Sequence, residues 1–284
     1  MTALHERHTV SAEPFDFNKV ADLYGMAGMS AAGANIVMQL AVPGVGHGVA
    51  RSVVESGALF RHPIKRARTT MTYLAVTLLG TDEERAAYRE AVNGSHRQVH
   101  SEPGAAVKYN AFDPQLQLWV AACLYKGLAD NMAWLDPVLY EREKESMYQS
   151  SAILGTTLQM RPEMWPASLD AFQEYWDGVV ATRVSMDETV RDYLNDFLDV
   201  RYLPRPFSSL LGPLHRWLSI GWLPREFREL MDMTWTARDQ QRFDRLHRWV
   251  RRINALTPTP IRRLGITMYL YDFRLRRRFG LRLV

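Results

Sequence analysis

The chain has 284 residues, 47% of them hydrophobic and 23% charged, with a formal net charge of +4. That is enough apolar material for one large domain or two modest ones, and it excludes a disordered chain. A single cysteine, Cys123, excludes an intrachain disulfide, and its LWVAACLYKG setting reads as a buried small side chain.

Residues 1–19 read as a polar arm, because His5, Glu6, Arg7 and His8 precede a short Pro14 to Phe17 stretch and no secretory hydrophobic run follows the first methionine. The expected location is the cytoplasm or the cytoplasmic face of a membrane. Residues 20–257 read as one helical domain and residues 258–284 as a basic, aromatic C-terminal segment. Small apolar residues dominate from Val20 to Arg51, where alanines favour helix and Pro43, Gly44 and Gly46 interrupt it. His47 stands at this break and reads as an interior or helix-edge histidine ahead of a ligand.

Pro63 suits a helix start, and the following helix, 63–79, carries Arg68 and Thr72 four residues apart on one face. They can present a cation and a hydroxyl to an anionic group, or serve as a surface arginine and a threonine bonded to its own backbone. Thr81 with Glu84 forms a capping-box pattern for a helix predicted over 82–100. Tyr88, Val92, His96 and His100 continue one stripe of it, so that two imidazoles share a face. A turn at Glu102 to Gly104 follows, with Lys108 and Tyr109 as candidate substrate or cofactor contacts on the loop. Asp113 then caps, and Pro114 opens, a helix predicted over 114–135, whose Leu116, Trp119, Val120, Cys123 and Leu124 form an apolar stripe.

Further helices are predicted over 138–160, 166–181, 187–202, 208–235 and 239–256. Asp187 starts the third of these, and Pro204, Pro206, Gly212 and Pro213 mark a long bend before the fourth. From Arg262 to Arg282 the chain holds seven arginines against one acid, Asp272. Such a segment can meet anionic lipid or a partner subunit, lie over the helical core, or stay solvated. No phosphate-binding glycine loop, cysteine-rich metal framework or nucleic-acid motif is present, so nucleic acid is not an expected partner. With no βαβ pattern and no repeat, the fold class is all-α, a single large helical domain.

The order of these segments resembles the bacterial and fungal oxygenase family that includes the latex-clearing proteins and the membrane-bound oxygenase of mycophenolic acid biosynthesis. The residues that carry the resemblance are the Ser30 to Ala50 run, Phe60-x-x-Pro63, Arg68-Thr69, His96-x-x-Val99, and Tyr109-x-Ala111-x-Asp113-Pro114 before Leu118-Trp119-Val120. The resemblance implies an all-α domain, a b-type haem and oxygenation of a hydrophobic small molecule, with electrons that are external or derived from the substrate. It also implies a histidine ligand directly after the Trp-Val pair, where this chain has Ala121, which cannot ligate iron. His96 is then the candidate metal ligand, with His100 or His47 as replacements. Arg68 is the candidate partner of a haem propionate, and Thr72 and Lys108 are candidate catalytic groups. Two other readings stay open: a cofactor-free protein that binds a hydrophobic ligand, and a membrane-peripheral helical protein.

Overall fold

The computed structural model describes residues 13–23, 30–52, 54 and 58–284; most of the predicted polar arm, residues 1–12, lies outside them. The described chain is helical throughout, in the order α1 (Asn18–Leu23), α2 (Ala32–Leu40), α3 (Pro43–Ala50), α4 (Pro63–Leu79), α5 (Asp82–His96), α6 (Pro114–Leu135), α7 (Pro137–Ser150), α8 (Ile153–Thr156), α9 (Leu169–Thr182), α10 (Glu188–Leu198), α11 (Arg205–Trp222), α12 (Arg225–Leu230), α13 (Ala237–Leu256) and α14 (Thr259–Arg278). No strand occurs among the described residues, only an isolated antiparallel bridge between His100 and Asn110. No helix of the described chain is long and apolar enough to cross a membrane.

The helix starts follow local chemistry. Thr81 and Glu84 close a capping box on α5, Asp113 accepts from the Gln115 amide at 2.8 Å, and Asp187 accepts from the Val190 amide at 3.0 Å. Each occupies an amide that the first turn leaves without a helical partner. Pro43, Pro63 and Pro114 occupy first-turn positions of α3, α4 and α6, where a missing N–H costs nothing.

Some boundaries differ from the sequence expectation. The break at residues 151–152 divides the predicted 138–160 helix into α7 and α8. Pro213 lies inside α11, which runs through the predicted bend; the real break comes at Leu223 and Pro224. Helix α10 stops at Leu198 because Val200 adopts φ 49°, and the Val200 and Arg201 amides donate back to Phe197 and Asp196. A left-handed residue at this position ends a helix, usually as glycine.

Helix α6 is the axis of the core. Its residues from Gln117 to Leu135 are buried on both sides, and it packs against α2, α7 and α8. The Trp119 indole donates to the Met38 carbonyl at 3.1 Å, which ties α6 to α2 and places this tryptophan in the core. Trp165, Phe172 and Tyr148 gather around Tyr125 with ring centroids 5.0–6.0 Å apart. The C-terminal segment is a helix that covers the core: α14 lies along α4 and α1, with Ile266, Leu270 and Phe273 buried.

Candidate functional site

A cavity of about 470 Å³ opens between α3, α4, α5, α6 and α8. Its apolar wall includes Val45 and Val49 of α3, Leu116, Val120 and Leu124 of α6, and Leu154 and Leu158 around α8. Gly44 keeps α3 close to α6, since a Cβ there would stand 3.0 Å from Leu116 Cδ1. Lys65, Arg66, Thr69, Thr70 and Tyr73 of α4 line another side, with Val92, Ser95 and His96 from the end of α5. This size and mix of many apolar groups with a few polar ones suits a small hydrophobic ligand.

One wall carries a continuous amide network. Asn93 Oδ1 accepts from Gln159 Nε2, Gln117 Nε2 donates to Gln159 Oε1 at 2.6 Å and to the Ala111 carbonyl at 2.9 Å, and the Gln159 amide donates to Gln117 Oε1 at 2.9 Å. The network joins α5, α6 and the segment after α8, so the wall is held by paired groups.

His96 is the last residue of α5 and lines the cavity. Its Nδ1 is buried without a hydrogen-bond partner, and the ring meets Phe112 edge-on at 6.2 Å. Burial, with a smaller contribution from the Arg66 charge, pushes its pKa down to about 4, so the imidazole is neutral at ordinary pH. A neutral ring with an unpartnered nitrogen can bind a metal or exchange a hydrogen bond with a ligand.

The other candidate residues fall elsewhere. Helix α5 ends at His96, so His100 does not share its face: Ala111 donates to the Val99 carbonyl and Ser101 to the Tyr109 carbonyl, which draws His100 into an exposed bridge. His47 is 4% exposed, and its Nε2 lies 2.7 Å from Asp187 Oδ2, outside the cavity wall. Arg68 turns toward the C-terminal segment, donating to the Leu283 carbonyl at 3.3 Å and approaching Asp272 at 3.5 Å. Thr72 shares that side of α4 and is 1% exposed, its hydroxyl unpartnered. Lys108 is exposed on its loop and does not line the cavity. Of the predicted set, His96 and the loop residue Tyr109 reach the cavity wall.

The residues that do line it from α4 were not singled out from the sequence. Arg66, Thr69, Thr70 and Tyr73 form one helical stripe, with Arg68 roughly opposite it and Thr72 to its side. The Thr69 and Thr70 hydroxyls donate to the Lys65 and Arg66 carbonyls, and Tyr73 donates to the Leu154 carbonyl at 2.6 Å. Arg66 is exposed and has no ion-pair partner within 4 Å among the described residues, leaving a free guanidinium at the cavity mouth.

Position 121 has a different neighbourhood. Ala121 is fully buried, and its Cβ lies 3.1 Å from where a Cβ on Gly155 would stand. The Met160 sulfur occupies the other side of Gly155, only 2.5 Å from that point. The α6–α8 contact is close around this methyl group: Ala121 packs on Gly155, which lines the cavity, and is not itself a lining residue.

No group of three or more histidine, cysteine, aspartate or glutamate side chains among the described residues is arranged to hold a metal ion. No solved structure matches the chain. The chain is 44% identical over 255 residues to the uncharacterized protein Mb2261 of Mycobacterium bovis and, equally, to the uncharacterized protein Rv2237 of Mycobacterium tuberculosis, alignments that cover 88% of this chain and 98% of each relative. Residues 20–252, from α1 to near the end of α13, match the family described as ER-bound oxygenase mpaB/B'/rubber oxygenase, catalytic domain. With its helical body spanned by that match, the chain belongs to this oxygenase family.

Proposed function

We propose that the chain binds a hydrophobic small molecule in the cavity between α3, α4, α5, α6 and α8 and acts on it as a haem-dependent oxygenase with His96 as iron ligand. The observation that carries this reading is the neutral His96 ring, with its buried, unpartnered nitrogen, at the wall of a largely apolar cavity. The remaining residues fit the group as well. Arg66 and Lys65 stand on the wall as cations for propionates, and Gln117, the amide of the network that lines the cavity, directs its side-chain donors to Gln159 and the Ala111 carbonyl. Haem, when bound, supplies an iron centre with an open position for oxygen activation, drawing on electrons from outside the chain.

The chain's own contributions are ordinary ones. Val45, Val49, Leu116, Val120 and Leu124 exclude water and hold an apolar substrate by contact. Arg66 orients an acidic group at the mouth, and His96, neutral down to about pH 4, keeps a nitrogen free for the metal across the physiological range. The role first assigned to Arg68 passes to Arg66 in this reading, because α4 turns Arg66 toward the cavity and Arg68 away from it.

The test is an absorption spectrum with iron and haem quantitation on protein expressed with ample haem. Near-stoichiometric haem is expected in the wild type, with a lost or displaced Soret band in His96→Ala. Wild-type protein without iron or a Soret band would sink the haem reading. The closed packing around Ala121 favours a second reading in that event: a cofactor-free protein that holds a hydrophobic ligand, detected by mass spectrometry of native or solvent-extracted protein.

A further inference from the structure

The net charge of the molecule is concentrated on one helix. Helix α13 contains Arg238, Arg242, Arg245, Arg248, Arg251 and Arg252 against Asp239 and Asp244, a surplus of four that equals the formal net charge of the whole chain. None of the six guanidiniums lies within 4 Å of a carboxylate among the described residues. Helix α14, which looks more basic in the sequence, has four of its six arginines paired within the fold. Arg263 pairs with Asp22, Arg274 with Glu84, Arg276 with Asp272 and Arg277 with Glu83.

The free charges on α13 share a face with apolar side chains. Phe243 and His247 hold the helix to the body, and at 3.6 residues per turn Arg245, Trp249, Arg252 and Leu256 project to the opposite side, with Arg242 and Ile253 on its flank. Trp249 is 66% exposed, Ile253 49% and Leu256 84%. A nucleic acid would meet the guanidiniums and leave these three in water. An anionic bilayer surface meets both: guanidiniums pair with lipid phosphates, while tryptophan and aliphatic groups enter the boundary between headgroups and acyl chains.

We propose that α13 docks this protein on an anionic lipid surface, with Arg242, Arg245 and Arg252 on lipid phosphates and Trp249, Ile253 and Leu256 in the headgroup–acyl boundary. The inference is independent of the cavity's chemistry, and its test needs no cofactor or substrate.

The test is co-sedimentation of the full chain with vesicles of phosphatidylglycerol and phosphatidylcholine in equal parts, against pure phosphatidylcholine. Binding is expected only to the anionic vesicles, and it should weaken as salt brings the screening length to about 8 Å and below. The charge-reversed variant R242E/R245E/R252E should bind at least about a hundredfold more weakly, from roughly fivefold for each guanidinium near the surface. Its thermal unfolding should match the wild type, since the altered face packs against nothing. The control R278E/R282E, on and after α14, should bind like the wild type.

A second readout follows position 256 directly. Cys123 is fully buried and its thiol pKa is raised by that burial, so a thiol-reactive, polarity-sensitive dye on Leu256→Cys reports that position alone. Its emission should shift to the blue on anionic vesicles. Equal binding to neutral vesicles, unchanged binding of the α13 variant, or loss in the α14 control would each overturn the proposal. So would binding to a DNA duplex with no vesicle binding and no dye shift.

Discussion

Helices α13 and α14 adjoin in sequence, are equally long and carry six arginines each, yet the fold uses them in opposite ways. Helix α14 is built into the body: Phe273 is 1% exposed and meets Tyr88 edge-on at 5.7 Å, and acids from α1 and α5 reach its guanidiniums. Helix α13 touches the body through α11 and α6 along a narrow line of rings and leaves its arginines in solvent. Clustered positive charge in a sequence therefore says little about a surface until the acids that meet it are known. Those acids are remote in the chain, 190 residues away for Arg274 and 241 for Arg263.

The comparison can be broken most strongly from the α14 side. Phe273→Ala removes a buried ring from the seam with α4 and α5 and should cost about 3–5 kcal/mol, read from the urea midpoint. Next in size is the pH response of α13's anchor. Burial pushes the His247 pKa down to about 4 from its ordinary 6.5. As pH falls from 6.5 toward 4 the unfolded chain takes the proton first, so stability is full above 6.5 and declines through this window. The loss is roughly 3 kcal/mol for a ring so shifted. His96 contributes in the same window with the same sign, so His247→Phe should remove part of the acid-induced fall in thermal midpoint.

A smaller effect isolates the attachment of α13 without touching its charges. A Cβ on Gly221 would overlap the Phe243 ring, so Gly221→Ala should push α13 from α11 at a cost of about 1–3 kcal/mol in denaturant titration. The smallest change tests the neutralised arginines. Glu84 holds Arg274 at 2.7 Å and caps α5, and the Arg274 hydrogen bond foremost keeps its carboxyl below the ordinary 4.5. Glu84→Gln preserves the capping geometry and loses the charge, an expected loss of about 1 kcal/mol. That loss should be present above pH 4.5 and should vanish as the wild-type carboxyl protonates below it.

What could be read from the sequence was the local chemistry. Thr81 with Glu84, Asp113 and Asp187 mark helix starts because a side-chain oxygen meets an amide two or three residues on, whatever the rest of the chain does. The all-α class and the core role of Trp119 followed from periodicity. Rotation about a helix axis did not. Lys65, Arg66 and Arg68 lie within one turn, and which of them faces the cavity depends on how α14 and the C-terminal residues pack against α4. His100 was placed on a helix because a stripe continued through it. The pairing of Val99 and Ser101 with Ala111 and Tyr109, across the intervening turn, ended that stripe.

The close contact between Ala121 and Gly155 also limits what either position can hold. A histidine at 121 would add a ring to a buried position beside Gly155, so Ala121→His should destabilise the fold. Glycine at 155 is what lets Ala121 and Met160 share this seam, because a side chain there would have to displace Met160.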